Sequence, residues 1–311
     1  YSNLKTARGE IGAGPFTTIV PSGAAPEERL PHGIQVSDQG KQIYVDNEIW
    51  RVGLGHGRFD LWQRSLHGNY TETKTYRALF YAALSECGER KVDRLVTGLP
   101  VKQWIDLKNR EALTKSLTGS HLLSPGKKVI VSKVDVVPQP LGAYLDMYWQ
   151  QGNEADVLSE GRVLVIDPGF YSVDWVILDG GALRQSASGS SLDAMSVLLQ
   201  ETSRLIAESH EGTVNIDRLE EALRTRRNRV FLFGNEIDLS PYLAKASLTV
   251  GRQALEALQQ SIRREVGSVD IVILAGGGAL AYQQCVSEEF SRSKVLMNSD
   301  PELANARGFY Y

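Results

Sequence analysis

Apolar positions in this chain fall into two spacings, and the two alternate along it. Continuous runs such as Val163-Leu-Val-Ile166 and Ile271-Val-Ile-Leu274 predict strands buried on both faces, as in a sheet covered by helices. Further strands are expected over 16–20, 94–100, 127–137, 182–187, 230–233 and 294–297. Residues 42–51 predict a hairpin that turns at Asp46-Asn47. The other spacing is helical. Tyr76, Leu79, Phe80, Ala83 and Leu84 share one face of a helix predicted over 71–87, with Gly88 as its C-cap. Helices are also expected over 104–117, 142–151, 192–209 with Ser191 as N-cap, 216–227, 240 to about 266, and 280–290. A last one follows Asp300 as N-cap and Pro301 at its first position. Residues 21–40 read as loop, and the polar stretch 151–161 reads as a linker between two α/β domains.

One stretch organises the rest. The run 163–166 ends on Asp167, a tight Pro168-Gly169 turn follows, and a second apolar run carries Asp174. This predicts a hairpin whose tip bears a carboxylate, a glycine and the hydroxyl of Ser172. Gly169 admits a ligand close to the backbone, and successive N–H groups in such a turn can bind an anion. Asp167 at a strand end suits a hydrated Mg²⁺, an ion that keeps its waters and takes few carboxylates. The same residues also suit a plain hairpin with a solvated turn.

Composition narrows the classes. The 311 residues allow two ordinary domains. A net charge of −3 supplies no field to draw the chain onto nucleic acid or anionic membrane, so neither is expected as a direct partner. No apolar run approaches a membrane span, no signal-peptide pattern opens the chain, and Cys87 and Cys285 make no disulfide framework. A cytoplasmic protein is expected.

Four other sets of residues bear on chemistry. Ser2, Asn3 and Lys5 have the polarity of a phosphate-gripping turn, and equally of a frayed terminus. His56 and His67 lie among glycines without a supporting acidic or cysteine cluster, which favours a surface loop over a metal site. Gln139 stands between two prolines, where a rigidly placed amide suits orienting a water for attack on a phosphoryl group; the alternative is a surface glutamine in a proline turn. Gly276, Gly277 and Gly278 follow a buried strand and head a helix, allowing close approach of a ring or a phosphate. Their spacing matches neither the dinucleotide fingerprint nor a P-loop.

Taken in order, these motifs resemble those of the actin-like ATPases, and within them the ParM/StbA-type plasmid-segregation actins and related archaeal actin-like proteins. Tyr1-Ser-Asn-Leu-Lys5 is similar to the tail of that family's first phosphate loop. Val96-Thr-Gly-Leu-Pro100 is similar to its strand and turn in domain I. Asp167-Pro-Gly-Phe-Tyr-Ser-Val-Asp-Trp175 resembles the second phosphate loop. Gly189-Ser-Ser-Leu192, Ile273-Leu-Ala-Gly-Gly-Gly278 and Asn305-Ala-Arg-Gly308 also fit. The resemblance implies two ribonuclease-H-like α/β domains, 1–155 and 156–311, with Mg²⁺ and ATP (or GTP) in a cleft between them. It implies phosphate contacts from Ser2, Asn3, Lys5, Gly169 and Ser172, Mg²⁺ held through water by Asp167, and a water positioned by Gln139. Gly276, Gly277 and Gly278 would line the adenosine. It further implies an ATPase that polymerises into filaments and moves or partitions plasmid DNA through a DNA-binding adaptor protein. A small-molecule kinase of the same superfamily and a non-polymerising nucleotide-gated binding module are the alternatives. Three departures stand out. The family's first phosphate loop opens with a strand and an Asp, so both are expected upstream of Tyr1. Phe170 and Tyr171 replace small residues and either point away from a nucleotide or block it. Gln139 stands where many ParM-type members carry Glu.

Overall fold

The computed structural model describes residues 2–30, 40–55, 69–152, 155–212, 214–265 and 268–311. His56 and His67 lie outside them. The chain forms two compact units. One comprises 1–99, 106–137 and 310; the other comprises 100–105, 138–309 and 311.

In the first unit β1 (Asn3–Arg8) pairs antiparallel with β2 (Phe16–Pro21), Lys5 opposite Ile19. A second sheet has the order β3 (Gly23–Pro26), β5 (Glu48–Leu54), β4 (Lys41–Val45). Asp46 and Asn47 adopt positive φ, +50° and +66°, which joins β4 to β5 by the expected two-residue turn. Ile43, Val45, Trp50 and Val52 of this sheet pack on Ala78, Leu79 and Ala82 of α1 (Lys74–Cys87). The β3 strand lies in the stretch read as loop. Its Gly-Ala-Ala-Pro sequence carries no strand signal of its own, but its small side chains let it lie buried against β5. After β6 (Lys91–Leu99) the helix expected over 104–117 is two helices, α2 (Val101–Ile105) and α3 (Leu107–Leu117). Asp106 separates them, accepting the Lys108 N–H at 2.9 Å as the N-cap of α3. A strand the periodicity did not reveal, β7 (Gly119–Ser124), pairs antiparallel with β8 (Lys127–Pro138).

The second unit takes in α2 and then continues with α4 (Gln139–Gln151) and α5 (Ala155–Glu160), β9 (Arg162–Pro168), β10 (Val173–Asp179), β11 (Ala182–Leu183) and β12 (Gly189–Ser191). There follow α6 (Met195–His210), α7 (Ile216–Arg224), β13 (Arg229–Leu232), β14 (Asn235–Asp238) and α8 (Ser240–Glu265). The chain ends with β15 (Ile271–Leu274), α9 (Ala279–Glu289), β16 (Lys294–Met297) and α10 (Ala304–Tyr310). The main sheet runs β11-β10-β9-β15-β16, with β12 on β10. The β9–β10 pair is antiparallel, and β9, β15 and β16 are parallel.

The continuous apolar runs are continuous because both sheet faces are covered. Leu164, Ile166, Trp175, Ile177, Val272 and Leu274 pack with α6, α8 and α9. Val163, Val165, Val176, Leu178, Ile271 and Ile273 pack with Ala143, Tyr144 and Met147 of α4 and Leu158 of α5. Each such side chain, fully buried, is worth roughly 1.5–3 kcal/mol. The stretch expected to be a linker therefore contains a packed helix, and the division between units falls at 137/138 rather than at 155/156. The last helix also starts later than expected. Asp300 caps no helix; its carbonyl accepts the Leu303 N–H in a turn, and α10 begins at Ala304. No helix among the described residues is long and apolar enough to cross a membrane.

The α10 helix crosses α4 with backbones in contact. A Cβ added at Gly308 would overlap the Gly142 carbonyl, and one added at Gly142 would lie 2.5 Å from the Asn305 carbonyl. The crossing is locked by Arg307, whose Nε and Nη2 donate to Asp146 at 2.8 and 2.7 Å, with Asn298 Nδ2 donating to the same carboxylate at 2.8 Å. Asp146 is 1 % exposed. Arg307→Ala, which strands that carboxylate, is expected to cost about 3–5 kcal/mol. Arg184→Ala, at the more exposed pair with Asp179, should cost less than about 1 kcal/mol. Urea unfolding of the two variants at pH 7 measures both, and equal losses would refute the assignment of Asp146 as a buried anchor.

Candidate functional site

β9 carries Asp167 to the end of the central strand because a two-sided strand leaves a charge no other place. The carboxylate is 5 % exposed. Asn305 Nδ2 donates to its Oδ2 at 2.6 Å. Its Oδ1 rests on Gly276, where a Cβ would overlap it. The tip of the hairpin is a tight turn closed by the Gly169 N–H to the Ser172 carbonyl at 2.8 Å.

That turn is fastened on two sides. The Gly169 and Phe170 carbonyls accept the N–H groups of Met195 and Ser196 at 3.1 and 3.0 Å, so backbone carbonyls cap α6. Ser191, expected as the cap, instead lies in β12 with its hydroxyl on Asp193 at 2.7 Å. On the other side the Gly278 N–H donates to the Pro168 carbonyl at 2.8 Å. The Asp-Pro-Gly turn and the glycine triplet thus form one rim.

The three glycines are small for different reasons. Gly276 has φ +82° and is pressed against Asp167. A side chain on Gly278 would strike Met195 and the Pro168 carbonyl, whereas one on Gly277 would meet nothing within 4 Å. Of the three, only Gly277 borders open space. Phe170 packs against the two apolar clusters around α6, so its ring serves the core.

The hairpin holds a second carboxylate. Asp174 sits opposite Asp167 in the β9–β10 register and is 2 % exposed. It accepts hydrogen bonds from the Ser172 and Ser190 hydroxyls and from the Val101 N–H at 2.7 Å. The Val101 bond pins α2, the 100–105 segment, into the second unit. Ser172 spends its one hydroxyl proton on Asp174, so a phosphate contact from this residue falls to its backbone. Asp174 therefore does structural work, and sequence spacing could not have revealed its partners, which lie at 101, 172 and 190.

Gln139 is the first residue of α4, after Pro138 as N-cap and with Pro140 in the first turn. It is half-buried. In the first unit Ser2 precedes β1, and its carbonyl accepts the Ser22 N–H at 3.0 Å. Asn3 and Lys5 lie in β1, and the buried Asn3 Oδ1 has no hydrogen-bond partner. Among the described residues no three His, Cys, Asp or Glu side chains cluster as a metal site. With the oxygens of Asp174 engaged by three donors, Asp167 is the carboxylate of the hairpin that suits an ion keeping most of its water.

The residues of this rim lie in regions that match known proteins. A model of the N-terminal domain of actin-like proteins matches residues 1–142, and one of the C-terminal domain of the archaeal MreB-like actin homologue matches residues 165–288. The fold matches a crystal structure of Ta0583, an archaeal actin homolog, at a TM-score of 0.69 and 19 % identity, over 99 % of this chain and 98 % of that one. Its complex with ADP matches at 0.69 and 19 %, over 99 % and 96 %. A 15-stranded ParM filament from Clostridium botulinum matches at 0.68 and 18 %, over 99 % and 98 %. The fold is the actin-like one. No curated protein sequence matches the chain.

Burial lifts the Asp174 carboxyl from its ordinary 3.8 to about 6. The folded protein keeps that proton over a pH range where the unfolded chain has lost it. The stability tied to the neutral form is whole below about pH 3.8 and is lost as pH rises through about 6. Relative to Asp174→Asn, the wild-type protein should lose roughly 3 kcal/mol between those limits, from a shift of 6 − 3.8 ≈ 2 units. Urea unfolding of both proteins from pH 4 to 7 reads the difference, and a flat difference curve would contradict it.

Proposed function

The chain belongs to the actin-like proteins, and we propose that it is a nucleotide-dependent, filament-forming ATPase of the ParM type. The observation that carries this reading is the single rim in which the Gly278 N–H grips the Pro168 carbonyl and Gly276 cups Asp167. An Asp167 carboxylate beside a glycine turn open at Gly277 supports this reading, because a nucleotide with a bound Mg²⁺ would use both. An archaeal homolog of the same fold has been solved with ADP, and a ParM of the same fold as a filament; these relatives support nucleotide binding and polymerisation here.

In this reading Asp167 holds Mg²⁺ through water, and the ion would neutralise charge on the β- and γ-phosphates. The Gly169 turn faces the phosphates, Ser172 contributing through its backbone. Gly276, Gly277 and Gly278 line the adenosine, with closest approach at Gly277. Ser2, Asn3 and Lys5 contact the β- and γ-phosphates. Gln139 orients the attacking water; a neutral amide positions but does not deprotonate. The chain would act on plasmid DNA through an adaptor, since its charge of −3 favours no direct contact.

Pelleting with electron microscopy tests the proposal. Filaments are expected with Mg-ATP and not without nucleotide. Gln139→Ala should lower the hydrolysis rate about 10²-fold while leaving nucleotide affinity within about threefold. A protein that binds ATP yet never pellets would remove polymerisation as its function, and wild-type hydrolysis by Gln139→Ala would remove the water-positioning role.

A further inference from the structure

Resting on the nucleotide reading above, we propose that Asn305 is a positioning residue that sets the Asp167 carboxylate in register with the helix beginning at Gln139. Its one amide spans two elements. Nδ2 donates to Asp167 Oδ2 at 2.6 Å, at the end of β9, and Oδ1 accepts the Ala143 N–H of α4 at 3.1 Å. The orientation of the amide is forced, because an ionised carboxylate only accepts and a backbone N–H only donates. In an α-helix the N–H of residue 143 points toward the carbonyl of residue 139. Asn305 therefore grips the first turn of α4, the turn that begins with Gln139.

The chemistry of the donor matters as much as its place. A neutral amide orients the carboxylate without cancelling its charge. A lysine or arginine there would compete with a cation for Asp167. The guanidinium nearest in sequence, Arg307, is committed to Asp146 by two hydrogen bonds. That same ion pair holds α10 on α4 and so fixes where Asn305 stands. With Gly276 against Oδ1, the carboxylate is confined on both oxygens. Aspartate keeps the acceptor for Ala143 but sets a second carboxylate against Asp167, and alanine removes both bonds.

Two readouts separate positioning from mere support. The first is hydrolysis rate against Mg²⁺ concentration. The second is the rise in melting temperature that ADP produces with Mg²⁺ and with EDTA. Second-layer partners of metal ligands are typically worth 10–100-fold in affinity or activity. Asn305→Ala and Asn305→Asp should each raise the Mg²⁺ needed for half-maximal rate at least tenfold. KM for ATP at saturating Mg²⁺ should stay within about threefold. At a Mg²⁺ concentration near the wild-type midpoint the extra ADP stabilisation that Mg²⁺ confers should be lost and should return at saturating Mg²⁺, while the effect of ADP in EDTA persists. Should Asn305→Ala fail to fold, Asn305→Asp, which keeps the Ala143 bond, decides the matter alone. If Asn305→Asp shows wild-type Mg²⁺ dependence in both readouts, the amide only supports α4 and the proposal is overturned. If the wild-type protein neither hydrolyses ATP nor responds to Mg-ADP, the nucleotide reading itself falls, and this inference with it.

Discussion

A strand buried on both faces can carry charge only where it ends, and the second unit is arranged around that constraint. β9 is paired on one side with β10 and on the other with β15. Its side chains alternate between two apolar layers, one closed by α6, α8 and α9 and the other by α4 and α5. A carboxylate within the run would cost several kcal/mol without partners. Asp167 escapes that cost by standing at the last turn of the strand, where Asn305 can reach it and where Gly276 yields the space it needs.

The hairpin carries two carboxylates at opposed positions, and their surroundings give them different work. Asp174 is saturated with three donors and anchors α2. Asp167 receives a neutral amide, which leaves its charge to be used. Two similar residues seven positions apart in sequence are thus set apart by what packs against them, three hydrogen-bond donors on Asp174 and a side-chain amide with a glycine on Asp167.

Close approach of backbones is the second recurrent device. Gly142 and Gly308 let α10 and α4 touch, and the ion pair of Asp146 with Arg307 holds them there. Gly276 and Gly278 let the glycine turn lie against the hairpin tip. In both places glycine is required by a neighbouring protein atom. Reading the triplet at 276–278 solely as room for a ligand thus misses why Gly276 and Gly278 are small.

Local chemistry made much of this legible in advance. Uninterrupted apolar runs announced β9, β10 and β15 as two-sided strands, Asp46-Asn47 announced a tight hairpin, and Gly88 closed α1 in the left-handed conformation as expected. Each depends on residues within a few positions of one another, and periodicity records such dependence. β7 escaped notice although it pairs locally with β8, because its sequence carries little strand signal; other missed elements depend on partners far along the chain. β3 has no strand propensity and exists because β5 offers an edge; α5 sits in a polar stretch yet buries Leu158 under the sheet. The start of α6 is set by carbonyls at Gly169 and Phe170 rather than by a capping side chain. The motif Asn305-Ala-Arg-Gly308 was visible as letters, but its use was not. That Asn305 spans Asp167 and Ala143, 138 and 162 positions away, was decided by tertiary packing alone, because no local rule relates residues that meet only when a sheet has formed between them.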